Sequence, residues 1–150
     1  MPQSLAKILV HLIFSTKNRA LLLPADFYEP LKQYAYGIFE DQKCHLIEMN
    51  NVADHVHVMF DLHRTEALSD VVMHVKKGTS RWLKDQGSQF KSFEWQAGFG
   101  AFSLGYSQKE AVRKYIRGQQ SHHATIGYQA EFRQFLQRYE VEYDERYVWD

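Results

Sequence analysis

The eight residues Asp54-His55-Val56-His57-Val58-Met59-Phe60-Asp61 constrain the fold more than any other segment. Their β-branched and aromatic content reads as a strand. Strand side chains alternate faces, so Val56, Val58 and Phe60 point one way and His55 and His57 the other. One face needs a core to pack against, while the other presents two imidazoles close enough to grip one ion. Two ligands rarely hold a catalytic metal, so the pair reads as half of a site. The competing reading is a strand with two partly exposed histidines bonded to their neighbours.

The rest of the chain supplies a sheet for that strand. Leu5–Ser15 reads as a first strand, apolar on both faces and central, followed by a polar turn at Lys17-Asn18-Arg19. A helix opens at Pro24 and runs to about Asp41, with Phe27, Leu31, Tyr34 and Ile38 at helical spacing. Lys43–Asn50 reads as the second strand, Asn50-Asn51 as a turn, and Val56–Leu62 as the histidine strand. Glu66–Gln86 is predicted as a helix with Leu68, Val71, Val72, Val75, Thr79 and Trp82 inward and Gly87 at its end. Trp95–Leu104 is the fourth strand. Ser107 is placed to cap a helix from Gln108 to about His123, with Glu110 completing a capping box. Tyr128 to about Tyr139 is a last amphipathic helix. The order β-α-β-β-α-β-α-α predicts an α+β fold. Its first six elements follow the ferredoxin-like, RRM-like plan, an antiparallel sheet with helices on one face, here with a C-terminal catalytic helix. The other sheet face is expected to lie open for a ligand.

At 150 residues and 45% hydrophobic content, the chain suits one globular domain, residues 1–150. A lone cysteine, Cys44, excludes an internal disulfide framework and fits a reducing compartment. No signal peptide is visible, and Ile8–Phe14 is too short to span a bilayer. The expectation is a cytoplasmic protein with no membrane partner. The net charge of zero argues at first against nucleic acid. Its distribution does not: three arginines against six carboxylates give residues 131–150 a charge of −3, which leaves +3 on the rest. Bases cluster at Lys76, Lys77, Arg81 and Lys84, and at Lys109, Arg113, Lys114 and Arg117. These read either as solvated helix faces or as contacts to phosphate. With Lys17 and Arg19, the residues Lys76, Lys77, Arg81, Arg113, Lys114 and Arg117 are the candidate contacts to nucleic-acid phosphate.

Tyr115 and Gln119 lie four apart on one face of their predicted helix. Gln119 offers a neutral oxygen as a third ligand beside two imidazoles, and Tyr115 a phenol that can attack phosphorus. His122 and His123, where the helix ends, read as capping cations. Asp54 reads as a turn residue or as a support that orients a ligand. His11, His45, His63 and His74 show no partner.

Five segments in order resemble the small single-tyrosine transposases of the HUH superfamily, of the insertion-sequence 200 type. They are Ser15-Thr16-Lys17-Asn18-Arg19, Asp54-His55-Val56-His57, Lys76-Lys77-Gly78-Thr79-Ser80, Trp95 through Ser103, and Tyr115-Ile116-Arg117-Gly118-Gln119. The resemblance implies paired metal histidines at His55 and His57, a third metal ligand at Gln119 and a nucleophile at Tyr115. It implies cleavage and rejoining of single-stranded DNA through a phosphotyrosine, at hairpins near element ends. It also implies a homodimer in which the Tyr115 helix can complete the partner's site. The residues suit that chemistry. A divalent ion, Mg²⁺ or Mn²⁺, held by three neutral ligands keeps its full charge for the scissile phosphate. The alternatives are a relaxase-like or housekeeping nickase acting on genomic repeat hairpins, and a non-catalytic nucleic-acid-binding module.

Overall fold

A computed structural model describes residues 2–123 and 125–150. Four antiparallel strands form one sheet in the order β2-β3-β1-β4, with β1 Leu9–Ser15, β2 His45–Asn51, β3 His55–Asp61 and β4 Gly100–Leu104. α1 (Tyr28–Asp41) and α2 (Leu68–Lys84) supply the connections. After β4 come α3 (Lys109–Arg117), α4 (Gln119–His122) and α5 (Tyr128–Arg138).

β1 is central, as its apolar run predicts, pairing Leu12 with Val58 on one side and with Ala101 on the other. Alternation then sorts the side chains. Val10, Leu12 and Phe14 join Val56, Val58 and Phe60 in a core shared with Leu31, Ala35 and Phe39 of α1 and Val71, Val72, Val75 and Leu83 of α2. The opposite face, expected to be open, is covered. Ile13 and Phe102 pack there against Tyr128, Phe132, Phe135 and Leu136 at α5. The apolar stripe of α5 needs a surface to bury against, and this face is the one that α1 and α2 leave free. The histidines of β3 therefore lie between the sheet and a second helical layer.

Several boundaries move for local reasons. β1 begins at Leu9, not Leu5, because its partner β3 ends at Asp61, whose carboxylate accepts the Ile8 amide at 3.1 Å; Leu5 is exposed. The fourth strand is confined to Gly100–Leu104. Trp95 makes only an isolated bridge to Thr16. Between them the backbone leaves the sheet, and the Lys76 ammonium donates to the carbonyls of Gln96 at 2.8 Å, Ala97 at 3.3 Å and Gly98. The expected Ser107 cap makes no side-chain cap bond; Gln108 instead accepts the Gly105 amide at 2.9 Å. The helix predicted to reach His123 breaks at Gly118, where Asn50 Nδ2 donates to the carbonyls of Ile116 at 2.9 Å and Arg117 at 3.2 Å.

Candidate active site

β3 holds His55 and His57 on the face covered by α5, each only 1% exposed. The competing reading of partly exposed rings does not hold, because α5 lies over them. Glu131, on the inner stripe of α5 and also 1% exposed, is the group on which the site converges. Its Oε1 stands 2.8 Å from His57 Nε2, 3.1 Å from His123 Nε2 and 3.6 Å from His55 Nε2. One ligand atom from each of these four residues falls within 4.8 Å of all the others. The other carboxylate oxygen, Oε2, accepts the Tyr115 hydroxyl and lies 3.0 Å from His122 Nε2.

The outer nitrogens determine the tautomers. His55 Nδ1 lies 2.6 Å from the Asp54 carboxylate and His123 Nδ1 2.7 Å from the Ile126 carbonyl. Both partners only accept, so both Nδ1 atoms carry protons and a neutral ring presents a bare Nε2. The two Nε2 atoms face each other at 3.0 Å, beside the carboxylate oxygen. Acceptors brought so close repel unless a cation stands among them, either a proton on a ring or a metal ion. The cluster is thus chemically suited to a cation, and imidazole with carboxylate is a donor set for a transition metal. Gln119, the expected third ligand, is fully buried; its Nε2 donates to the Tyr115 carbonyl at 3.2 Å, and its Oε1 has no hydrogen-bond partner among the described residues.

Charge and burial compete at each group. Burial pushes the His57 pKa down to about 4, against the opposing pull of Glu131. Burial also works against charge on His55, but hydrogen bonds donated by the ring to Asp54 and Glu131 outweigh it and raise that pKa. Burial would raise the Glu131 pKa; hydrogen bonds from His123, His55 and His57 carry it far below the usual carboxylate range. The Tyr115 phenol is held well above its ordinary value, first by burial and then by Glu131, while the Gln119 side chain and Arg138 act the other way. A cleft of about 380 Å³ between α3 and α5 reaches the phenol and is lined by His11, Tyr115, His122 and Arg138, among others.

Spacing had brought out His55, His57, Tyr115 and Gln119; the structure brings the two histidines and Tyr115 together around Glu131, with Gln119 against Tyr115. It missed Glu131, His123 and His11, whose Nε2 lies 2.8 Å from His57 Nδ1. The capping role expected of His122 and His123 is replaced by contact with Glu131. The group of side chains that could hold a cation also includes a carboxylate. A signal for Glu131 existed: it is a carboxylate on a helix stripe otherwise made of Tyr128, Phe132 and Phe135.

The basic candidates scatter. Lys76 is tied to three carbonyls, and burial pulls its pKa down to about 8, so it braces a loop. Arg113 and Arg117 both turn to the buried Glu48, at 3.4 and 2.8 Å. Lys17 pairs with Glu94 at the surface, and Arg19 stands over the Trp149 ring. Lys77, Arg81 and Lys114 are exposed, without an ion-pair partner among the described residues.

The model of the family described as "Transposase IS200 like" matches residues 4–119. The chain belongs to the IS200-like transposase family. Two solved structures share this transposase's fold. One, from Deinococcus radiodurans R1 and described as a candidate transposase, is 19% identical with a TM-score of 0.61, covering 79% of this chain and 98% of that one. The other, a REP-associated tyrosine transposase bound to a REP hairpin, is 15% identical with a TM-score of 0.60, covering 84% of this chain and 74% of that one. Among curated proteins nothing matches the chain. Family membership makes the protein a transposase, an enzyme that cuts and transfers DNA strands. His123 and Glu131 lie beyond the matched span. No helix among the described residues is long and apolar enough to cross a membrane.

Proposed function

We propose that this transposase cuts and rejoins single-stranded DNA through a covalent bond to Tyr115, beside a divalent cation held by His55, His57, His123 and Glu131. The observation that carries the reading is the Glu131 carboxylate, which touches the imidazoles with one oxygen and the Tyr115 phenol with the other. Nucleophile and metal donors thus meet across one group. Gln119 adds a buried oxygen with unused bonding capacity next to Tyr115. The donor set favours Mn²⁺ over Mg²⁺, because three of its members are imidazoles. Such an ion, when bound, stabilises charge growing on the non-bridging phosphate oxygens.

The chain's own residues supply the remaining steps. The Tyr115 oxygen bonds to phosphorus as the bond from phosphorus to the departing sugar oxygen breaks. Resting Tyr115 keeps its proton, so attack needs an acceptor; Glu131 Oε2, which already accepts the phenol's hydrogen bond, is placed to take it, with His122 Nε2 beside both. Arg138, at the cleft wall, offers a cation to the entering phosphate. Rejoining reverses the exchange with a DNA hydroxyl as nucleophile, and the phosphotyrosine conserves the bond energy, so no nucleoside triphosphate is needed.

The substrate we propose is a strand with a hairpin, gripped in part by the exposed Lys77, Arg81 and Lys114. Two DNA ends must be cut, so two copies acting together are the simplest assembly. The likeness to a structure bound to a REP hairpin favours a second biological setting for the same chemistry, genomic repeat hairpins. The test is incubation with hairpin-bearing single-stranded DNA from the gene's own flanks and Mn²⁺. The expected result is a protein–DNA adduct that survives denaturing electrophoresis. Its absence with every flank strand would overturn the reading.

A further inference from the structure

We infer that Glu48 and Asn50 of β2 are positioning residues for the nucleophile helix, an inference that takes from the preceding section the role of Tyr115 as attacking group. Both lie outside the histidine cluster. Glu48 sits at an irregularity in the β2–β3 pairing and is 3% exposed. An isolated carboxylate there would be costly, and three cations compensate it. Lys32 of α1 approaches at 2.7 Å, Arg117 at 2.8 Å and Arg113 at 3.4 Å. Burial pushes the Glu48 pKa up, but hydrogen bonds from Lys32, Arg117 and the Met49 amide and the charge of Lys32 bring it below its ordinary value.

Arg113 and Arg117 are one turn apart on α3 and so share a face. Tyr115 is two residues from each and projects from the opposite side, toward Glu131. Pinning the arginines therefore fixes the rotation of α3 about its own axis. Asn50 fixes its end. Asn50 Nδ2 donates to the carbonyls of Ile116 and Arg117 and to Gln120 Oε1 at 2.9 Å, while Gln120 Nε2 donates back to Asn50 Oδ1 at 2.7 Å. These contacts satisfy helix-end carbonyls that would otherwise lack partners in a half-buried setting. Rotation and axial position are thus both set from β2, on the strand next to His57. A displacement of about 1 Å at a reacting atom can cost on the order of a hundredfold in rate. The same grip commits both guanidinium groups to Glu48.

The experiment compares Glu48→Gln, Asn50→Ala and Arg113→Gln/Arg117→Gln with the wild type in two readouts. The first is amide hydrogen exchange of DNA-free protein. We expect exchange across residues 112–120 to rise about tenfold or more, with β1 and β3 unchanged. The second is single-turnover adduct formation on hairpin DNA, expected to slow about tenfold or more while DNA affinity stays within about twofold. Adding Glu48→Gln to the arginine pair should cost nothing further, because both remove the same grip. Unchanged exchange in α3 overturns the proposal. So does a loss of rate matched by an equal loss of affinity, which would make the arginines DNA contacts. If Glu48→Gln does not fold, Asn50→Ala, which leaves the ion cluster intact, decides by the same criteria. If the wild type forms no adduct, the functional reading fails on its own, and hydrogen exchange still judges the latch.

Discussion

Glu131 ties together groups whose separate roles make different predictions. Tyr115→Phe removes the oxygen proposed to attack and its hydrogen bond to Glu131 but keeps the ring. Adduct formation should fall to background with folding and hairpin affinity retained; an adduct at the wild-type rate would assign the chemistry to another tyrosine. Glu131→Gln should weaken Mn²⁺ binding by about 10- to 100-fold in titration calorimetry, since it removes the one anionic donor. An unchanged affinity would put the ion elsewhere. Protonation gives a third test, on metal-free protein. Burial holds His57 at about 4 and His11 well below its ordinary value. Between about pH 6.5 and 4 the unfolded chain binds protons that these native rings refuse, so stability falls as pH falls, by about 3 kcal/mol for His57 alone. His55 is shifted upward, so its window lies above 6.5, and Glu131, shifted downward, loses its contribution below the ordinary carboxylate range. Neither masks the trend. Denaturant unfolding in chelator across that range checks it, and a flat profile would mean the rings are not buried neutral. At this scale the sequence revealed what local spacing controls. Two histidines on one strand face and a tyrosine and glutamine on one helix face are matters of period 2 and period 3.6. Glu131 is 74 residues from His57, and no period connects them.

The elements were legible wherever a face had to be apolar, and less so where a partner decides the boundary. The central position of β1 and the inner faces of α1 and α2 follow from hydrophobic pattern. The late start of the fourth strand accompanies the Lys76 ammonium holding the backbone carbonyls before it, and the break at Gly118 accompanies Asn50, neither of which a local pattern contains. The seating of α5 yields its own prediction. A Cβ on Gly100 would come within 2.5 Å of the Phe132 ring, beside Glu131 in sequence. Gly100→Ala should therefore push α5 off β4, destabilise by about 1–3 kcal/mol and weaken Mn²⁺ binding as Glu131 moves. A full-strength metal site in a folded variant would show that α5 is seated by other contacts.

On the scale of the whole molecule, the sheet is a middle layer, with a hydrophobic core beneath and the chemical groups above. In the single chain described, the Tyr115 phenol meets the histidine cluster of the same chain. Mixing His57→Ala with Tyr115→Phe protein under subunit exchange distinguishes the two assemblies: sites built within one chain predict no recovery of cleavage, and sites shared across a dimer predict recovery. Replacing the exposed Lys77 and Arg81 should weaken hairpin binding and flatten its salt dependence by close to one unit of slope per lost phosphate contact; an unchanged slope would make that face a solvated one. The carboxylate between phenol and imidazoles has one more effect. Because Glu131 touches both, the phenol and the ring cluster share one anionic partner. A cation bound among the rings would draw that carboxylate's charge away from the phenol, so metal binding and proton loss from Tyr115 are linked, and by reciprocity a phenolate tightens the ion by the same factor. Mn²⁺ should therefore move the tyrosinate absorbance of Tyr115 to lower pH, and a midpoint that ignores Mn²⁺ would show the two oxygens of the carboxylate acting independently.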